Sequence, residues 1–371
     1  MRIGTRGSAL ALTQARLVAE QLGDVEIVVV RTSGDAQTQE YEAANATPPP
    51  AGGSASVDRG SADKSRWVAD LEQALLAGEI DLAVHSAKDV PGEPVAGLEL
   101  LGAPQRAAPE DALIGARSLE DLPQGARVGT SSVRRAAQLR AARSDLEIVS
   151  MRGNVDTRLR KLAKQSAVDA GRSGNAECSD DTGRADGAGR AGGAGQSSDE
   201  DGKPLHAIVL ASAGLHRLGR GREIGCELDV ARFVPAPGQG LLALQAREGD
   251  ESVRASVEKI LDSDASACLK AERAVARALG ASCHTPLGAY AVPAGRGCLH
   301  LRAWIGLPDG SEWIADELLA ETGTRAKGEC LPASAGFYDP RELGRRVAER
   351  LEAVGARELL ARAEGMAVER V

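Results

Sequence analysis

Residues 83–91 read Ala-Val-His-Ser-Ala-Lys88-Asp89-Val-Pro91, so a lysine and an aspartate stand side by side after an apolar run and just before a proline. Ile80 to Val84 reads as a buried strand, with Pro91 marking the turn beyond it. In open α/β sheets, ligands bind past the carboxyl ends of the strands. Lys88 and Asp89 are therefore expected to offer one cation and one anion to the same substrate. Taken alone, the pair also reads as a solvated couple on a loop.

Other strand ends carry the same signal. Gly129-Thr130-Ser131-Ser132-Val133-Arg134-Arg135 follows a strand and opens a helix. Backbone N–H groups at a helix start attract anions, and the three hydroxyls add donors. Arg134 and Arg135 fall in the first helical turn, where the macrodipole opposes a cation by about a few tenths of a kcal/mol. An anion bound between the helix start and both guanidinium groups would remove that conflict. Met151-Arg152-Gly153-Asn154-Val155-Asp156-Thr157-Arg158 repeats the arrangement, with Asn154 as helix cap and Arg152 and Arg158 bracketing it. Thr5-Arg6-Gly7-Ser8 and Gly214-Leu215-His216-Arg217 also follow strands. A guanidinium fork matches the two oxygens of a carboxylate. Arginine or lysine at so many strand ends fits a ligand with several carboxylates better than one with a single charge.

The elements that must hold these loops alternate. Strands are expected at Arg2–Thr5, Glu26–Arg31, Ile80–Val84, Arg127–Gly129, Leu146–Met151 and His206–Ala211. Helices are expected at Ala9–Leu22, Arg66–Leu76, Ser132–Ala142 and Asn154–Ala163. Such alternation predicts an α/β fold with largely parallel sheets. The last third differs. Asp264–Leu279 reads as a helix capped by Ser263 or Asp264, Ala289–Leu319 as strands, and Pro340–Ala363 as one long helix, giving a small α+β domain. Two stretches break the pattern. Glu40–Asp63 is rich in Pro, Ala and Gly, and Gln165–Pro204 has almost no large apolar residue. The second is expected to be a disordered insertion, because it buries too little surface to offset its ordering entropy.

Composition excludes several functions. Aromatics are 2% and the formal net charge is -8, which argues against a nucleic-acid binder. Between Arg127 and Lys161, however, nine Lys/Arg stand against three Asp/Glu, as a small anionic ligand would require. No signal peptide and no membrane-spanning run is read, so a cytoplasmic protein is expected. The six cysteines are scattered without a CxxC pair, so neither a metal site nor a disulfide framework is expected.

Taken together, Arg2-Ile-Gly-Thr-Arg6-Gly-Ser8, Val84-His-Ser-Ala-Lys88-Asp89-Val-Pro91, Gly129-Thr-Ser-Ser-Val-Arg134-Arg135, Arg152-Gly-Asn-Val-Asp-Thr-Arg158, Pro237-Gly-Gln-Gly240 and Gly280-Ala-Ser-Cys283 are specific. In that order they resemble the porphobilinogen deaminase (hydroxymethylbilane synthase) family. The resemblance implies three domains. Two are α/β lobes like those of periplasmic binding proteins, with mixed, mainly parallel sheets, at residues 1–104 with 233–249 and 105–232. The third, a small α+β domain at 250–371, carries a dipyrromethane cofactor attached by a thioether at the position of Cys283. The implied reaction joins four porphobilinogen molecules head to tail with loss of ammonia, and water then frees hydroxymethylbilane. Asp89 would stabilise the electron-poor azafulvenium left when ammonia departs. Arg6, Ser8, Lys88, Thr130, Ser131, Ser132, Arg134, Arg135, Arg152, Arg158 and Arg217 would bind the acetate and propionate groups. The family also implies a monomer, with no metal.

The chain departs from the family in three places. Ser61-Ala-Asp-Lys64-Ser-Arg66-Trp67 stands where the family has a glycine- and lysine-rich loop, read here as an altered lid. His284 follows Cys283 and reads as a bystander, and the Gln165–Pro204 insertion is atypical. A solute receptor or an effector-sensing regulator would share the two lobes. Neither needs both Asp89 in a cleft and Cys283 in a third domain, and no helix-turn-helix segment is read. An inactive family member would not need the intact set of Asp89, Cys283 and arginines.

Overall fold

The computed structural model describes residues 1–30, 64–93, 95–151, 153–163, 204–282, 284–295, 297–321 and 339–368. Residues 165–203 of the expected insertion and residues 61–63 of the altered lid lie outside these, as do Arg152 and Cys283.

The first sheet contains β1 (Arg2–Thr5), β2 (Glu26–Val29), β3 (Leu82–Ser86), β4 (Leu98–Gly102) and β10 (Leu242–Arg247), in the order β2-β1-β3-β10-β4. The second contains β5 (Asp111–Ile114), β6 (Arg127–Gly129), β7 (Glu147–Val149), β8 (Ala207–Ala211) and β9 (Cys226–Leu228), in the order β7-β6-β8-β5-β9. In each sheet one strand runs against the rest: β10 is antiparallel to β3 and β4, and β5 to β8 and β9. These are the two strands reached by crossing from the other sheet. The sheets are therefore mixed but mainly parallel, and two crossing segments, 103–110 and 229–241, run between them.

Helices α1 (Ala9–Leu22) and α2 (Lys64–Leu76) cover the first sheet, and α3 (Val133–Ala142), α4 (155–163) and α5 (Ser212–Arg217) belong to the second. Ser8 caps α1 by accepting from the Ala11 N–H at 3.3 Å. From α1, Ala15 and Val18 pack on Ile3, Leu82, Val84 and Leu244. From α2, Leu71 and Leu75 pack on Ile80, Ala83 and Leu98 across the other face. Each fully buried leucine contributes about 1.5–3 kcal/mol, so burial on both faces fixes the register of β3 and the placement of the loop that follows it.

The third unit pairs the antiparallel strands β11 (Leu287–Pro293), β12 (Cys298–Gly306) and β13 (Trp313–Glu321) with helices α7 (Ser263–Ala278), α8 (Pro340–Ala353) and α9 (Ala356–Val368). The short α6 (Glu251–Glu258) leads into it. Two expectations are corrected. Asp262, not Ser263 or Asp264, caps α7, accepting from the Ala265 N–H at 2.7 Å. The single long C-terminal helix is two helices, interrupted at Val354 and Gly355, where glycine weakens the helix. Among the described residues no helix is long and apolar enough to cross a membrane.

Candidate active site

The two crossing segments touch each other and gather the strand ends around them. Ala107 N–H donates to the Gly240 carbonyl at 3.1 Å. The turn at Pro237–Gly240 requires glycine at two points. Gly238 and Gly240 have φ of 77° and 83°, and a Cβ would lie 2.9 Å from Ala87 C and 2.5 Å from Ala107 O respectively. The turn thus lies directly against the Ala87–Asp89 3₁₀ turn that follows β3. Ala87 N–H also donates to the Leu241 carbonyl at 3.0 Å.

Asp89 lines a pocket with Arg6, Ser8, Gln14, Trp67 and His85. The Arg6 guanidinium stacks 3.9 Å from the Trp67 ring centre, a cation–π contact that orients its fork. Lys88 occupies the same 3₁₀ turn as Asp89. Arg273 on α7 ties down the exit of that turn, donating to the carbonyls of Val90 (3.0 Å), Pro91 (2.6 Å) and Gly92 (3.2 Å). The helix that leads toward Cys283 thus holds the loop carrying Asp89.

On the second lobe, Arg217 donates to the Gly240 carbonyl at 2.8 Å, and Arg158 to the Gly153 carbonyl at 2.8 Å. Both are partly buried, and neither makes an ion pair among the described residues. Burial lowers Arg217 to about 10. Burial, then the charge of nearby Arg135, lowers Arg158 to about 10. Cations held this way gain from an anionic ligand.

Arg134 and Arg135 are placed differently from the expectation. The anion at the start of α3 is supplied by the chain itself, as Asp111. Arg134 Nη2 and Arg135 Nε each lie 2.8 Å from an Asp111 carboxylate oxygen, and all three side chains are buried. Burial pushes the Asp111 carboxyl up, but the charges of Arg134 and Arg135 outweigh it and hold it at about 2. Gln239 completes the cluster, donating to Asp111 Oδ1 at 2.8 Å and accepting from Arg135 Nη2 at 3.3 Å. The hydroxyls of the preceding loop serve local geometry. Ser132 caps α3, Thr130 accepts from the Ser132 N–H at 3.2 Å, and Ser131 donates to the Met151 carbonyl.

Sequence reasoning missed Asp111, Gln239, Arg106 and Glu272. Arg106 sends Nη1 to Glu272 at 2.6 Å, and Glu272 also accepts from the N–H groups of Gly238 (2.7 Å) and Ala291 (2.8 Å). This buried carboxylate joins the crossing turn to the third unit. Gln239 lies inside a motif that was noticed, but its side-chain role had no local signal. Among the described residues, Trp67 Nε1, Arg134 Nε and Ser212 Oγ are buried polar atoms without a hydrogen-bond partner. Orphans of this kind are rare in native structures. Of these, Trp67 belongs to the pocket that Asp89 lines.

The family described as "Porphobilinogen deaminase, dipyromethane cofactor binding domain" matches residues 1–171 and 197–255. "Porphobilinogen deaminase, C-terminal domain" matches residues 266–353. The porphobilinogen deaminase of Syntrophus aciditrophicus is 36% identical over 97% of this chain and 97% of its own length. That of Thiobacillus denitrificans is 37% identical, with the same coverage of both chains. Among solved structures, a periplasmic substrate-binding protein of an ABC transporter from Coxiella burnetii is 14% identical over 70% of this chain and 91% of its own, with a TM-score of 0.32. The two family matches and the near-full-length relatives agree, and the chain belongs to the porphobilinogen deaminase family.

Proposed function

We propose that this chain is a hydroxymethylbilane synthase, a transferase of tetrapyrrole biosynthesis. It joins four porphobilinogen molecules head to tail, releases ammonia at each step, and lets water free the linear tetrapyrrole. The observation that carries this reading is the meeting at one crossing turn of the loop that bears Asp89 with Arg217, a cation that has no ion-pair partner among the described residues.

Asp89 accepts the pyrrole N–H of the incoming unit. Its charge stabilises the cation left on that unit when ammonia departs, and its oxygens assist proton movement as the next bond forms. Arg6, Ser8, Lys88, Thr130, Ser131, Ser132, Arg152, Arg158 and Arg217 orient acetate and propionate groups. Arg134 and Arg135, already paired with Asp111, add positive charge behind the loop that presents those groups. Cys283 would hold a dipyrromethane group, which when bound would supply a pyrrole to accept the first new unit. The domains divide as 1–104 with 233–249, 105–232, and 250–371. The protein works as a cytoplasmic monomer on this small-molecule substrate, with neither nucleic acid nor membrane as partner.

Ammonia and tetrapyrrole measured together during incubation with porphobilinogen test the reading. Four ammonia molecules per tetrapyrrole are expected. Binding of porphobilinogen without ammonia release would leave only a receptor.

A further inference from the structure

Three buried polar side chains run in line from α2 to the pocket that holds Asp89, and the reaction as described uses none of them. Glu72 on α2, Gln245 on β10 and His85 on β3 are 7%, 3% and 5% exposed. Gln245 Nε2 donates to Glu72 Oε1 at 3.0 Å, and Gln245 Oε1 lies 2.9 Å from His85 Nε2.

The order of donors in this line is forced. A carboxylate oxygen only accepts, so it takes the amide NH₂ of Gln245. The amide oxygen of Gln245 then faces His85, and it too only accepts. His85 Nε2 must therefore carry the proton. In a neutral imidazole the other nitrogen, Nδ1, is then bare. Nδ1 has no hydrogen-bond partner among the described residues, and His85 lines the pocket with Asp89, Arg6 and Trp67.

The surroundings keep the ring neutral. Burial lowers His85 to about 4, Gln245 and Asp89 act in the opposite direction, and Arg273 and Arg6 act with burial. The charged groups that bear on the ring are thus Asp89 after β3, Arg6 after β1, Arg273 on α7, and Glu72 through Gln245. A protonated His85 would add a donor and a third cation beside Arg6 and Arg273, where the substrate itself becomes cationic.

We propose that Glu72 and Gln245 lock His85 as the neutral Nε2–H tautomer, so that its bare Nδ1 is a second hydrogen-bond acceptor, beside Asp89, for the pyrrole N–H groups of the substrate. This rests on the reading of the Asp89 pocket as the substrate site. Glu72 and Gln245 are positioning residues, and His85 is the group that touches substrate.

The tautomer can be read without turnover, so this test and the test of the reaction fail separately. Histidine is labelled with ¹⁵N in the full-length holoenzyme, and the His85 signals are assigned by their loss in His85→Asn. The Nε2–H, bare-Nδ1 pattern is expected to hold from pH 8 to pH 5. An unreactive pyrrole dicarboxylate should shift Nδ1, and its N-methyl counterpart should not. In Gln245→Glu, a charged acceptor facing Nε2 should raise the His85 titration, and the acid limb of kcat/KM should move up by at least about one pH unit with it. The opposite tautomer, a ring protonated at pH 7, or equal Nδ1 shifts with both pyrroles would overturn the proposal. So would an unmoved acid limb in a Gln245→Glu protein whose His85 titration has risen.

Discussion

Arg106 donates two hydrogen bonds to the backbone oxygen of Gln239, from Nε at 3.0 Å and Nη2 at 2.8 Å. Arg106 stands on the first crossing segment and Gln239 on the second. Gln239 uses its side chain for Asp111 and Arg135 and its backbone for Arg106, so one residue connects the two buried ion clusters. The Asp111 cluster anchors α3, and the Arg106–Glu272 cluster anchors the third unit. The geometry of the active site depends on both at once.

Removing Arg106 should therefore cost stability out of proportion to its size. Arg106→Met leaves Glu272 fully buried without its countercharge, a class of change that costs about 3–5 kcal/mol. Denaturant unfolding measures it. A loss under about 1 kcal/mol would show that the Gly238 and Ala291 N–H groups alone satisfy Glu272.

Acid should destabilise the fold in two windows. Between pH 6.5 and 4 the unfolded chain protonates at His85 while the folded chain does not, so stability falls as pH falls, by about 3 kcal/mol in all. Asp111 contributes about 2 kcal/mol above pH 3.8, which is lost as pH falls through its folded value of about 2. Stability against pH for wild type and Asp111→Asn separates the windows. The lower one should shrink by the Asp111 share in the variant, leaving the part due to Asp81, which Arg2 also holds at about 2, and the upper one should remain.

Arg158 and Arg217 should trade stability for binding. Each is partly buried without a carboxylate partner among the described residues, so Arg158→Leu and Arg217→Leu should leave thermal stability unchanged or raised. KM for porphobilinogen should rise about tenfold or more in each, since about 1.4 kcal/mol of lost binding corresponds to a factor of ten. Unaltered KM together with lower stability would assign them to the fold.

Asp89→Ala should keep anion binding and lose turnover. Stopped assays and ligand titration on the same preparation compare the two. Activity within about tenfold of wild type would remove Asp89 from the central role, because preorganised charge of this kind contributes at least about a hundredfold.

The site was legible in sequence wherever its chemistry is local. Strand-end loops such as Lys88-Asp89 and Thr130–Arg135 announce themselves by composition and by their place just after a short strand. The partners of those loops were not legible. Asp111 lies 23 and 24 residues before Arg134 and Arg135, and Glu272 lies 166 residues after Arg106. No periodicity encodes such pairings. Hence the anion at the start of α3 was expected from a ligand although the chain provides one. The true cap of α7, Asp262, sits one residue before the expected position, because Ser and Asp occur in succession there and any of them can cap.

The most direct test of the central claim is the intact mass of the purified protein beside a Cys283→Ser variant. The wild-type mass is expected to exceed the sequence mass by two linked pyrrole units, with that excess absent from the variant. A wild-type protein at its sequence mass, unmodified even after incubation with porphobilinogen, would contradict it.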